Sequence, residues 1–343
     1  MEMDFYFFSD ARDKWWNSRL PTIEDGDFRR IALRRYRIAG EPFVPALPLR
    51  LRPDRYDAVI KNLNGRLMLP SLYGAARVRG VPFVLWTGMW FHPQTTFHRL
   101  SRPVTEALYR DVPAIVVYGE HVKRVLLEVP GVDSEKIFVA GQAVDASRFD
   151  GVQPAGNGRP VVLFIGQFEE RKGIDDLLAA FDRVAHPDAE LRLIGNGSLE
   201  QHIRQRVNGH SRVTIVGHVP QDGLPAELAQ ATCLVLPSVT TRETNEPWGL
   251  VVNEAMHSGV PVIATDAVGA AAGGLVRDGH NGYVVPERNP ERLGDAIRRL
   301  LADPESAVRM GRQARVDAAE FNYDRMADAF QGAVEYAVQH GWS

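Results

Sequence analysis

Two carboxylates, Glu246 and Glu254, stand eight positions apart in the stretch EPWGLVVNE. Were both helical, they would lie about 12 Å apart along the axis. Carboxylates that flank one glycosidic bond sit roughly 5 to 9.5 Å apart, so the pair suits hydrolysis poorly. It fits two hydroxylated parts of one long ligand better. Between them the backbone N–H groups of Gly249, Leu250 and Val251, at a helix start, would face a phosphate. Sugar, diphosphate and ribose in a row match that order. The same spacing also fits a helix with one solvated Glu at its N-terminus and another on its outer face.

A second charged group lies in Gly166-Gln167-Phe168-Glu169-Glu170-Arg171-Lys172-Gly173, which leaves a strand and enters a helix. Strand ends, glycines and a helix start together make an anion site. Arg171 and Lys172 there would neutralise a diphosphate without a metal, or form an exposed basic turn. Gly195-Asn196-Gly197-Ser198 is half of a dinucleotide fingerprint, with Glu200 where the third glycine belongs. His92 follows a strand in the loop Thr87 to Pro93. Asp25-Gly26-Asp27 has D-x-D spacing but no strand before it, and reads as a turn rather than a metal site.

These residues need elements to hold them. Strands are expected at 57–60, 83–86, 114–118 and 136–139, alternating with helices at 67–78, 97–110 and 120–128. Residues 150–160, DGVQPAGNGRP, have linker composition. The alternation restarts with strands at 161–166, 191–195, 213–217, 233–238, 261–266 and 283–286, and helices at 173–185, 198–207, 224–230, 249–258 and 290–302. Two more helices are expected near 305–318 and 323–338. The pattern predicts an α/β protein of two doubly wound, Rossmann-like domains with a cleft between them. Expected bounds are 1–152 for the first domain and 159–322 for the second. A helix at 323–343 would cross back to the first. Asp4 to Ser9 reads as a short strand. Residues 10–50 resist assignment, and the basic stretch Phe28 to Arg37 reads as a solvated face.

Composition narrows the function classes. With 343 residues, 45% hydrophobic and 24% charged, the chain has room for two cores. A net charge of −3 argues against general nucleic-acid binding. Residues 1–150 are nevertheless basic, with 22 Lys and Arg against 18 Asp and Glu. The single Cys233 cannot form an internal disulfide, which makes the cytoplasm the default compartment. Contact with the inner surface of the membrane through the basic stretch is a further expectation.

Across about residues 161–300 the chain resembles the retaining glycosyltransferases of family 4, which have the GT-B fold. The matching stretches, in the family's order, are FIGQFEERKGIDDLLAAF, LIGNGSLE, VGHVP, VLPSVTTRETNEPWGLVVNEAMHSGVPVIATD and VRDGHNGYVVP. A fainter likeness covers LWTGMWFHP, VVYGEHVKRVL and VAGQAVD. The resemblance implies that Glu246 binds sugar hydroxyls near the reacting carbon and Glu254 the ribose hydroxyls. It implies that Lys172 neutralises the diphosphate and that His92 reaches the sugar. Gly166, Gly195, Gly197 and Val219 would stand on the nucleotide side. Gln167 departs from the family, which has an Arg there, and Arg171 would supply that charge. The chain also opens at what would be the family's second strand, so the first strand, glycine-rich loop and helix are expected to be missing.

The expected activity is metal-independent transfer of a sugar from a nucleotide donor, UDP- or GDP-linked, with retained configuration and no further cofactor. The acceptor would be a glycan, a lipid or a small molecule. The alternative is a non-catalytic nucleotide-sugar-binding or scaffold protein with a decayed acceptor domain. Self-association to cover an exposed sheet edge is also expected.

Overall fold

The computed structural model describes residues 3–9, 28–38, 40–152 and 159–342. Strands β1 (Met3–Ser9) and β2 (Phe28–Arg34) pair in parallel. Strands β3 (Tyr36–Ile38) and β4 (Glu41–Phe43) form a short antiparallel hairpin, followed by helix α1 (Ala46–Arg50). The basic stretch, with Arg29, Arg34 and Arg37 exposed as a solvated face requires, is therefore also strand. Its seven-residue register with β1 and the Asp4 carboxylate, 2.8 Å from Arg29, explain why. Both are partners that the stretch alone does not reveal. Asp25-Gly26-Asp27 lies outside the described residues.

The first regular layer follows: β5 (Val59–Asn62), α2 (Met68–Arg79), β6 (Phe83–Thr87), α3 (Thr96–Asp111), β7 (Ala114–Val117), α4 (Glu120–Leu127) and β8 (Ile137–Val139). All pairings in its sheet are parallel, in the order β5-β6-β7-β8. Apolar runs such as FVLWT and AIVV suit strands covered on both faces.

The second layer comprises β9 (Val161–Ile165), α5 (Ile174–Asp182), β10 (Glu190–Ile194), α6 (Glu200–Arg206), β11 (Val213–Gly217), α7 (Leu224–Ala229), β12 (Cys233–Leu236), α8 (Val251–His257), β13 (Val262–Thr265), α9 (Gly269–Ala272) and β14 (Gly282–Val285). Helices α10 (Pro290–Ala302), α11 (Pro304–Ala318) and α12 (Tyr323–His340) end the chain's regular structure. The parallel sheet has the order β11-β10-β9-β12-β13-β14. Chain order reverses between β9 and β12, which makes their carboxyl ends the topological switch point where such sheets bind ligands. Helix α12 returns to the first sheet, packing Ala333 and Ala337 against Val84, Ala114 and Val116. No helix among the described residues is long and apolar enough to cross a membrane.

Candidate active site

The two strands at the switch point deliver the charged groups. The loop after β9 carries Arg171 and Lys172, and the loop after β12 carries Glu246. Gly173 has φ +63°, and a Cβ there would stand 1.9 Å from the Pro237 carbonyl oxygen. Only glycine lets the two loops approach this closely. The Val239 amide then donates to the Arg171 carbonyl at 2.8 Å. Lys172 Nζ donates to Glu246 Oε2, and Arg171 Nη1 reaches the same oxygen at 2.9 Å. Ser238 Oγ adds a donor at 3.3 Å.

Lys172 and Glu246 are 8% and 7% exposed, so this ion cluster is buried. Burial pushes the Lys172 ammonium below its ordinary pKa, while Glu246 beside it acts the other way. Arg171 is braced further by Glu169 at 3.0 Å and by the Gln167 side-chain Oε1 at 3.3 Å. Gln167 thus contributes an acceptor that orients Arg171.

Glu254 sits in the middle of α8, 8% exposed. Burial raises its pKa, and Arg148 across from it lowers it. Helix α8 starts at Val251 rather than 249, because Gly249 takes φ +93°. Among the described residues, the amides of Gly249, Leu250 and Val251 donate to no partner. Gly195 and Gly197 shape the loop after β10 where it meets the loop after β9. The Phe168 amide donates to the Asn196 carbonyl at 2.8 Å, and a Cβ on Gly195 would meet the Gly166 carbonyl oxygen at 1.9 Å. Half-buried Val219 follows β11 and packs against the core cluster to which Val252 and Ala255 of α8 belong.

The first sheet faces this cluster across a cleft. Trp90 Nε1 donates to the Glu246 carbonyl at 3.4 Å, and the Gln94 amide to the Arg242 carbonyl at 2.7 Å. A cavity of about 290 Å³ opens between the loops, lined by Phe91, Pro93 and His98 but not by His92. His92 stands in the same loop, its backbone carbonyl accepting from the Gln94 side chain at 3.0 Å. Its charged neighbours are Arg102, Glu106 and Glu128, and burial lowers its pKa.

A model of the family "Glycosyl transferases group 1" matches residues 146–317. The chain belongs to this family. The glycogen synthase of Mycobacterium tuberculosis is 30% identical over 239 residues, 67% of this chain and 56% of that protein. The chain therefore spans little more than half the length of that relative. Anabaena HepE in complex with UDP and glucose superposes with a TM-score of 0.68 at 19% identity, covering 90% of this chain and 85% of that one. Sucrose-phosphate synthase from Thermosynechococcus elongatus superposes at 0.71 and 22%, covering 96% and 86%. These neighbours share the GT-B fold, and this group 1 chain has it too.

Several cleft residues of the group 1 chain carry no clear signal in its sequence. Arg148 faces Glu254 from a turn after the first sheet. Asn245 and His98 line the cavity. Trp248, 3% exposed, donates from Nε1 to Asn253, which in turn donates to the Gln142 carbonyl at 2.8 Å. Position beside Glu246 is the one local signal for Asn245. The others are brought in by topology.

Proposed function

We propose that this chain transfers a sugar from a nucleoside diphosphate donor to an acceptor hydroxyl with retained configuration and no metal, as a member of family 4. The observation that carries this reading is the convergence of Lys172 and Arg171 on Glu246 at the switch point. An arriving diphosphate offers both cations a better partner than one carboxylate oxygen. Glu246, released, turns to the sugar hydroxyls, and the amides of Gly249 to Val251 receive phosphate oxygens. Glu254 binds the ribose hydroxyls, with Arg148 holding its charge.

In the transfer, the bond from the anomeric carbon to the diphosphate oxygen breaks. A bond to the acceptor oxygen forms on the same face. The acceptor's proton leaves with the diphosphate oxygen, so no enzyme nucleophile is required. Lys172 and Arg171 stabilise the departing charge in a dry site. The UDP complexes of HepE favour UDP over GDP as the carrier.

Calorimetry against UDP and GDP, with hydrolysis of their sugars, tests the reading. Binding with slow hydrolysis, and an anomer of unchanged configuration by NMR in the product, is expected in EDTA. Donor binding with no turnover in any acceptor mixture would favour the non-catalytic alternative. Absence of nucleotide binding would sink both.

A further inference from the structure

The acceptor side of the cleft has a chemistry of its own, and any assignment of the acceptor rests on the transferase reading. The cavity of about 290 Å³ lies beside Glu246, where a donor sugar would present its reacting carbon. Trp86 and Tyr118 line it, with ring centroids 5.6 Å apart. A Cβ on Gly88 would stand 2.3 Å from the Tyr118 ring, so Gly88 lets that ring lie against the loop.

Polar groups converge from both sides. Asn62 and Asn64 come from the carboxyl end of β5, and Asn245 comes from the loop that ends in Glu246. Asn245 is 5% exposed and lines the cavity, yet its carboxamide makes no hydrogen bond among the described residues. Buried amides are normally paired. The Asn245 carboxamide, bonded to no described residue, instead faces the cavity, where it can donate to and accept from a ligand.

Charge narrows the ligand class. The described lining contains no Lys or Arg, and its one carboxylate is Glu243. The neighbouring cation, Lys61, donates to the Asn62 and Asn64 backbone carbonyls at 2.9 and 2.8 Å and to the Asn62 side-chain oxygen. The donor side, by contrast, concentrates two cations. A phosphate or carboxylate in this cavity would meet Glu243, while Lys61 is already engaged by the Asn62 and Asn64 oxygens and His98 Nδ1 by Thr95 Oγ1 at 2.7 Å, and buried charge without a partner is costly. Carboxamides and aromatic faces recognise hydroxyls and the apolar face of a sugar ring instead. The volume lies at the bottom of the usual range for ligand sites, roughly 300–1,000 Å³, enough for a single ring. We propose that the acceptor is an uncharged polyhydroxylated ring, a neutral glycoside or cyclitol, held by Asn245 and the β5 asparagines over Trp86 and Tyr118.

The test measures nucleoside diphosphate release from the donor that calorimetry identifies. Methyl glucosides, methyl mannosides and inositol are compared with glucose 6-phosphate, methyl glucuronide and inositol 3-phosphate. Neutral acceptors should raise release about tenfold or more above donor hydrolysis, and the anionic set should not. Asn245→Ala should raise the acceptor KM about tenfold while donor Kd stays within twofold. Glu243→Gln, on an exposed loop, should improve the anionic acceptors only. Preference for anionic acceptors, stimulation by neither set, or an unchanged acceptor KM in Asn245→Ala would overturn the assignment. Donor that neither binds nor turns over would instead sink the transferase reading beneath it.

Discussion

At the scale of single residues, the site is a set of charges held where water is scarce. Lys172 is buried and paired with Glu246, yet burial still lowers its pKa. Its ammonium is poised for a stronger anion than one shared carboxylate. Lys172→Ala should weaken nucleoside diphosphate binding by about 1.5–3 kcal/mol, the span for hydrogen bonds to charged groups. Calorimetry would show a Kd raised by roughly ten- to a hundredfold, and unchanged affinity would remove Lys172 from the phosphate site. Glu254 makes the opposite point about stability. Its folded pKa is raised by burial, so the folded state holds its proton to higher pH than the unfolded state does. The penalty is absent below the ordinary value of 4.5 and complete above the raised one. Glu254→Gln should therefore raise Tm at neutral pH and weaken nucleotide binding. The Tm gain should shrink as pH falls toward 4.5 and be gone below it. Each kcal/mol corresponds to about 2–4 °C in a domain of 150–250 residues. A Tm gain that persists unchanged at pH 4 would refute the burial account.

At the scale of elements, the loops after β9 and β12 are built to touch. Gly173→Ala would combine strain at φ +63° with a methyl 1.9 Å from the Pro237 oxygen, so the loop bearing Arg171 and Lys172 must move. Gly209 has φ +78° but open space around it, so Gly209→Ala costs only left-handed strain, about 1–2 kcal/mol. Gly173→Ala should lose more stability than that and weaken donor binding as well, whereas Gly209→Ala should leave donor affinity unchanged. Equal thermal shifts and equal donor affinities would show that the contact is slack. The β9 and β12 loops were legible in the sequence because each carries a local signal: an apolar strand, a charged turn and a helix start. The convergence of Lys172 and Glu246 was not, since 74 residues separate them and only strand order brings them together. The strand β2 was illegible for a related reason. Phe28 to Arg34 has no clean alternation, and parallel pairing with β1 defines it. His98, which lines the cavity with Phe91 and Pro93, lies in α3 and carries no such local signal.

At the scale of the whole molecule, the cleft depends on how the two layers meet. His121 at the start of α4 is the wedge between them, 3% exposed. Its ring lies 5.2 Å from Trp90 and 6.0 Å from Trp248, and a Cβ on Gly273 would come within 2.8 Å of its Nδ1. Two tryptophans, one from each side of the cleft, thus meet through one imidazole. Burial pushes that imidazole down to about 4, with the Pro247 backbone opposing and nearby Arg124 reinforcing the shift. The folded state therefore favours the neutral ring. Above pH 6.5 both folded and unfolded histidines are neutral and no penalty exists. As pH falls from 6.5 toward 4, the unfolded chain takes up a proton that the folded interface refuses, and stability is lost. His121→Gln keeps a polar group of similar reach but does not titrate. The difference in Tm between wild type and His121→Gln should be flat above pH 7. Between pH 6.5 and 4.5 it should move steadily in the variant's favour, with other titrating groups cancelling in the comparison. Because Trp90 also donates to the Glu246 carbonyl, acid should loosen the cleft along with the interface. Donor affinity of the wild type should then fall faster over the same interval than that of the variant. Parallel pH profiles for the two proteins would show that His121 is only filling space.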